Sequence, residues 1–214
     1  MPNNKEDIVH MYVAIAGNIG SGKTTLTDLL VKNYGWTPVY EQVDDNPYIA
    51  NFYDDMRRWA FNLQVYFLQK RFSHIIESCR VYKNIVQDKT IYEDAYIFAP
   101  NLHSMGLLST VDYETYLSLF NLLNSLTPDP DLLVYLKASV PTLINLITKM
   151  GRIYENSIRI DYITSLNRRY DDWFKSYQGR KLAVDVDNLN IIDSPEDLGV
   201  VFEKIDAEIN PLFK

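Results

Sequence analysis

The sequence is poor in the residues that would place it outside a reducing, aqueous setting. Of 214 residues only Cys79 is a cysteine, so no internal disulfide can form and the chain fits a reducing compartment. No run approaches the roughly 20 consecutive apolar residues of a membrane span. The polar stretch Met1–His10 lacks the apolar centre of a signal peptide. Positive charge is also short: 21 Lys and Arg against 28 Asp and Glu leave a net charge of −7. That balance argues against a broad cationic surface for nucleic acid or acidic lipid. A cytoplasmic protein with neither nucleic-acid nor membrane partners is the expectation.

What is present suits a globular chain. Hydrophobic residues make up 47% and charged residues 23%, enough to build one sizeable core. We expect a tail over 1–10 and a single domain over 11–214. Sixteen tyrosines fall largely in helical patterns, where composition does not separate core, dimer contact and substrate stack.

Short apolar runs alternate with longer helical periods. Strands are expected at 11–16, 38–41, 84–88, 132–136 and 182–186, and turn residues crowd 44–47. Helices are expected from Lys23 to a stop at Gly35, and over 55–83, 112–126, 140–149 (closing at Gly151), 159–177 and 195–209. The stretch Ile91–Phe98, followed by Pro100, completes the pass. This alternation predicts an α/β fold, a parallel sheet of about five strands flanked by helices.

The strongest motif lies between the first strand and first helix: Gly17-Asn18-Ile19-Gly20-Ser21-Gly22-Lys23-Thr24, followed by Thr25. In the spacing Gly-x4-Gly-Lys-Thr, glycine amides curl around phosphates, the lysine reaches β/γ oxygens and the threonine hydroxyl holds Mg²⁺. The helix that starts there adds its positive dipole end. The chain has neither the Asn-Lys-x-Asp motif of GTPases nor the Leu-Ser-Gly-Gly-Gln signature of transporter ATPases. A small P-loop kinase remains, using ATP as phosphate donor.

Further motifs occur in order along the chain: Val39-Tyr40-Glu41-Gln42-Val43, Trp59-x4-Gln64-x6-Arg71 and Asp88-Lys89-Thr90-Ile91-Tyr92-Glu93-Asp94. An acid at a strand's carboxyl end, such as Glu41, points into the crevice where open α/β sheets bind ligands. Gln64 and Arg71 lie two helical turns apart and share a face. With these motifs, over about Tyr12 to Trp173, the chain resembles the deoxyribonucleoside kinases, in particular bacterial deoxyadenosine kinases and their deoxycytidine and deoxyguanosine relatives. The resemblance implies a P-loop kinase fold with a helical lid, a homodimer joined through a helical bundle, and phosphorylation of a deoxynucleoside 5′-hydroxyl. It implies that Glu41 is the base, that Gln64 pairs with the nucleobase while Arg71 pairs with Asp94, and that Tyr53 and Glu155 bond the sugar 3′-hydroxyl. Asp88 would act with Thr24 at Mg²⁺ through water.

An ionised Asp94 only accepts hydrogen bonds, so it favours a base with an exocyclic amine. Deoxyadenosine is the leading substrate, deoxyguanosine and deoxycytidine are alternatives, and thymidine is last.

Two departures from the family stand out. Lys89 replaces an arginine and loses its planar fork. The lid, which usually carries three arginines, has Leu146, Met150 and Arg152 at those positions, with Lys149 and Arg159 as nearby substitutes. Lys23, Lys89 and Arg152 are expected to offset charge on the transferred group. The missing arginines motivate a rival reading as a nucleotide-binding interaction protein with weakened catalysis. Arg57, Arg58 and Arg71 motivate another, a nucleoside monophosphate kinase.

Overall fold

The computed structural model describes residues 11–41, 46–150, 159–191 and 193–210. Five strands form one all-parallel sheet: β1 (Met11–Gly17), β2 (Thr37–Val39), β3 (Asn84–Asp88), β4 (Leu132–Lys137) and β5 (Lys181–Asp185), in the order β2-β3-β1-β4-β5. Both faces are covered, which is why the inner strands β1 and β4 read as nearly continuous apolar runs. Successive residues alternate between the two layers. Tyr12, Ala14, Ala16, Leu133 and Tyr135 enter the larger core, whereas Val13, Ile15, Leu132, Val134 and Leu136 enter the smaller one.

The smaller layer is built by α1 (Lys23–Tyr34) and α9 (Pro195–Ile209). Helix α1 ends as the sequence predicts: Gly35 sits at φ 68° and returns its N–H to Val31 O. The larger layer contains α3 (Met56–Val81), α6 (Thr110–Asn124) and α8 (Ile160–Ser176). Helix α3 starts where the Asp55 side chain accepts the Arg58 amide at 3.0 Å, and α6 where Ser109 accepts the Asp112 amide at 3.1 Å. Helix α7 (Val140–Met150) follows β4. Among the described residues no helix is long and apolar enough to cross a membrane.

The structure corrects several expectations. The second strand ends at Val39, so Glu41 stands beyond it rather than in it. Tyr53 lies inside a short helix, α2 (Ile49–Asp54), which the turn-rich approach conceals. The stretch after β3 is helical throughout: α4 (Ile91–Glu93) opens into a π turn over Asp94–Phe98 and tightens again into α5 (Ala99–Ser104). A helix period hidden by a π turn explains why apolar spacing gives no clear signal there. The predicted closure at Gly151 lies outside the described residues, as do Arg152 and Glu155.

Candidate active site

Strand β1 is central, so the loop that leaves it opens at the carboxyl edge of the sheet, where α/β folds bind ligands. Gly20 and Gly22 take φ values of 80° and 90°, a region that side chains disfavour. At Gly20 space is limiting as well, since a Cβ would meet Ile147 Cγ1 of α7 at 2.5 Å. The loop is therefore shaped by glycine and by the helix packed on it. Lys23 Nζ donates to its carbonyls, Gly17 O at 2.8 Å and Asn18 O at 3.1 Å.

Thr24 and Asp88, 64 residues apart, meet at the same edge, with Thr24 Oγ1 donating to Asp88 Oδ2 at 2.6 Å. Asp88 Oδ1 is buried with no hydrogen-bond partner among the described residues. Burial raises the Asp88 carboxyl's pKa, against the pull of Lys23 and the Thr24 hydroxyl. A hydroxyl beside a carboxylate oxygen in need of a partner fits Mg²⁺, which takes few protein ligands and keeps waters and phosphate oxygens.

A cavity of about 250 Å³ extends from the loop. Gly20, Gly22, Lys23, Thr24 and Thr25 form one end; Tyr53, Gln64 and Asp94 line the rest, with Glu41, Asp88 and Lys89. Gln64 and Asp94 are buried at 3% and 1% exposure. Gln64 Oε1 has no partner among the described residues, an acceptor awaiting a donor.

Four charges interlock at the wall. Arg71 donates from Nη1 to Asp94 Oδ2 and from Nη2 to Glu41 Oε1, and Lys89 Nζ donates to the same Glu41 oxygen at 3.0 Å. The Arg71–Asp94 pair was expected; the bridge to Glu41 was not, because three chain segments must converge to make it. Burial alone would raise the Glu41 carboxyl, yet Lys89, Arg71 and Lys23 together outweigh it and hold the pKa near 2. Lys89 is pushed down to about 8, chiefly by burial and against the attraction of Glu41. Its backbone sits at φ 70°, rare for a residue with a side chain. Its ammonium lies 4.3 Å from the Phe98 ring centre and 5.5 Å from that of Phe67.

The apolar walls add residues that the motifs do not mark: Ile49, Phe52, Leu63, Phe67, Phe98 and Tyr162. Leu63 and Phe67 carry a readable signal, because they flank Gln64 on one helix. Phe98 carries none, since the π turn sets its direction.

The substitute cations do not join the site. Arg159 is exposed and held by Asp161 at 2.8 Å, and Lys149 is exposed. Arg57 and Arg58 are exposed too, with Arg58 over the Trp59 ring. Arg71 is paired with two carboxylates, so among the described residues none of the three arginines that motivated the monophosphate kinase reading is a spare cation in the cavity.

This arrangement joins a glycine-rich loop with the phosphate-binding spacing to a partly open cavity of about 250 Å³, and a model described as "Deoxynucleoside kinase" matches residues 13–210. The chain belongs to the deoxynucleoside kinase family. It is 38% identical over 192 residues to the deoxyadenosine/deoxycytidine kinase of Bacillus subtilis, covering 87% of this chain and 88% of that protein. It is also 38% identical over 203 residues to a deoxyguanosine kinase of Lactobacillus acidophilus, covering 90% and 88%. The deoxyadenosine kinase of M. mycoides, solved with the products dCMP and a flexible dCDP bound, superposes with a TM-score of 0.83. That match has 29% identity and covers 92% of this chain and all of that one. The kinase reading therefore prevails over a binding-only protein: the chain is an enzyme that phosphorylates deoxynucleosides.

Proposed function

We propose that this kinase moves the γ-phosphoryl group of ATP to the 5′-hydroxyl of deoxyadenosine. Gln64 carries the choice of base. Its buried Oε1 lacks a partner among the described residues and belongs to the same cavity wall as Asp94. An amide offers a donor beside an acceptor, the complement of adenine's ring nitrogen and exocyclic amine. Asp94, ionised beside Arg71, only accepts and so also favours an amine. Cytosine presents an amine too, and guanine could take a hydrogen bond from Arg71 at O6. The activities of the bacterial relatives span all three bases.

In the transfer the 5′-oxygen bonds to the γ-phosphorus while the bond from phosphorus to the bridging oxygen breaks. ADP departs with that electron pair, and the hydroxyl proton passes to Glu41. Held near 2, Glu41 is a weak base at the outset. It first orients the hydroxyl as an acceptor and receives the proton as P–O bond formation makes the hydroxyl acidic. Lys23 exchanges its loop carbonyls for phosphate oxygens, and Lys89 and Arg152 offset charge on the transferred group. Tyr53 and Glu155 hold the sugar. Mg²⁺, held at Thr24 and through water at Asp88, would neutralise phosphate charge.

We further propose a cytoplasmic homodimer. The exposed Val111 and Leu122 of α6, at 72% and 61%, supply apolar surface for it. Coupled ADP release with the four common deoxynucleosides tests the substrate: deoxyadenosine should give the highest kcat/KM and thymidine the lowest, and a preference for thymidine would overturn the reading.

A further inference from the structure

A carboxylate outside the set read from sequence ties the phosphate-binding loop to the rest of the protein. Glu93, fully buried in the helix that follows β3, divides its oxygens between two tasks. Its Oε2 accepts the Thr90 amide at 2.6 Å and the Thr90 hydroxyl at 3.3 Å, closing the N-terminus of α4 as a capping box. A cap needs no more than this, and caps work well at the surface. Burying a charge is costly unless further hydrogen bonds satisfy it.

Those bonds fall to Oε1. It accepts the Gly17 amide at 3.2 Å and the Tyr170 hydroxyl, from α8, at 2.9 Å. Four donor contacts thus converge on one carboxylate, a set that the acceptor-only ionised form satisfies. Burial works the other way and raises the Glu93 pKa, while Lys23 and Lys89 oppose it. Gly17 begins the phosphate loop, and its carbonyl is one of the two on which Lys23 rests. The next residue is anchored to α8 independently: Asn18 Nδ2 donates to Ile163 O and to Asn167 Oδ1, each at 3.2 Å. Helix α8 therefore grips the first two loop residues, one directly and one through Glu93. Glu93 does not line the nucleoside cavity.

We infer that Glu93 is a positioning residue for the phosphate donor, acting through the Gly17 amide with Tyr170 as its brace. The inference rests on the reading of ATP as donor. Glu93→Gln keeps the shape and turns one acceptor into a donor, which opposes either the Gly17 and Tyr170 pair or the Thr90 pair. Tyr170→Phe removes one donor and leaves the carboxylate.

The test measures ATP affinity by calorimetry, the KM for ATP and for deoxyadenosine, and thermal midpoints, in both single variants and the double variant. ATP binding is read without turnover, so it remains informative if deoxyadenosine is not the acceptor. Expected is an ATP Kd and KM raised about tenfold in Glu93→Gln, with the KM for deoxyadenosine within about twofold. Tyr170→Phe should shift the same constants less, and the double variant should be no worse than Glu93→Gln, because both act on one oxygen. Unchanged ATP constants with a lowered thermal midpoint would make Glu93 a purely structural cap and overturn the inference. Equal rises in both KM values, or additive effects of the two substitutions, would overturn it too. If Glu93→Gln does not fold, the ATP Kd of Tyr170→Phe decides alone: a rise supports the inference and no change refutes it.

Discussion

Lys89 Nζ lies 3.0 Å from Glu41 Oε1, so the proposed proton acceptor and a proposed phosphoryl-stabilising cation are partners before any substrate arrives. Each distorts the other's acidity: Glu41 is held near 2 and Lys89 near 8. Neither value follows from the residue alone.

The first prediction is an alkaline limb. As pH rises through about 8, Lys89 loses its proton, and kcat/KM, which reports the free enzyme, should fall. Lys89→Arg should remove that limb, since arginine stays charged. Stability responds in the opposite sense. Lys89 titrates lower when folded than its ordinary 10.5, so between about 8 and 10.5 the unfolded chain binds more protons and Lys89's burial cost is relieved. Activity profiles and denaturant melts across that window check both signs.

Glu41→Gln should lower kcat by ~10² to 10⁴ while the KM for deoxyadenosine changes little. Near-normal turnover with normal affinity would remove Glu41 from the role of base. The wild-type carboxylate contributes stability that is complete above its ordinary 4.5 and lost as pH falls toward 2. Acid melts of Glu41→Gln should therefore be flatter than wild type across that range.

Arg71 is 5% exposed and holds Asp94, itself 1% exposed. Arg71→Met strands the Asp94 carboxylate, leaves Glu41 to Lys89 alone, and should destabilise the fold by ~3 to 5 kcal/mol, the usual penalty for breaking a buried pair. Urea denaturation measures it. Arg71→Lys should recover only part, because an ammonium lacks the two-pronged geometry that reaches both acids.

Gly20→Ala should raise the KM for ATP, since φ 80° and the Ile147 contact both oppose a side chain. Adding Ile147→Ala should relieve the contact and leave the dihedral strain, giving partial recovery in steady-state kinetics. Complete recovery would show that packing against α7 alone demands glycine there.

Asp88→Asn should raise the Mg²⁺ concentration needed for half-maximal rate with little change in deoxyadenosine binding, read by magnesium titration at saturating ATP. An unaltered requirement would remove Asp88 from the metal site.

Much of the fold was readable because its signals are local. β1 and β4 are nearly unbroken apolar runs, as strands buried on both faces tend to be, and α1 ends at its predicted glycine. The features that local signals do not show depend on context. Helix α2 is too short to show a period, and the π turn at Asp94–Phe98 shifts side chains off the 3.6-residue spacing that apolar patterns report. Phe98 therefore joins the cavity without a signal in the apolar spacing.

The amino-acid sequence by itself carried the Gly-x4-Gly-Lys-Thr spacing of a phosphate-binding loop, which is local to one stretch of chain, and the motifs shared with deoxynucleoside kinases. Only the tertiary structure decided how the charges share one another. Arg71, Glu41, Asp94 and Lys89 come from α3, the segment after β2, and the stretch that follows β3, and Coulomb interactions and burial act through space at distances that chain order does not encode. The same holds for Glu93, whose second oxygen reaches the phosphate loop only once the sheet has aligned β1 beside β3.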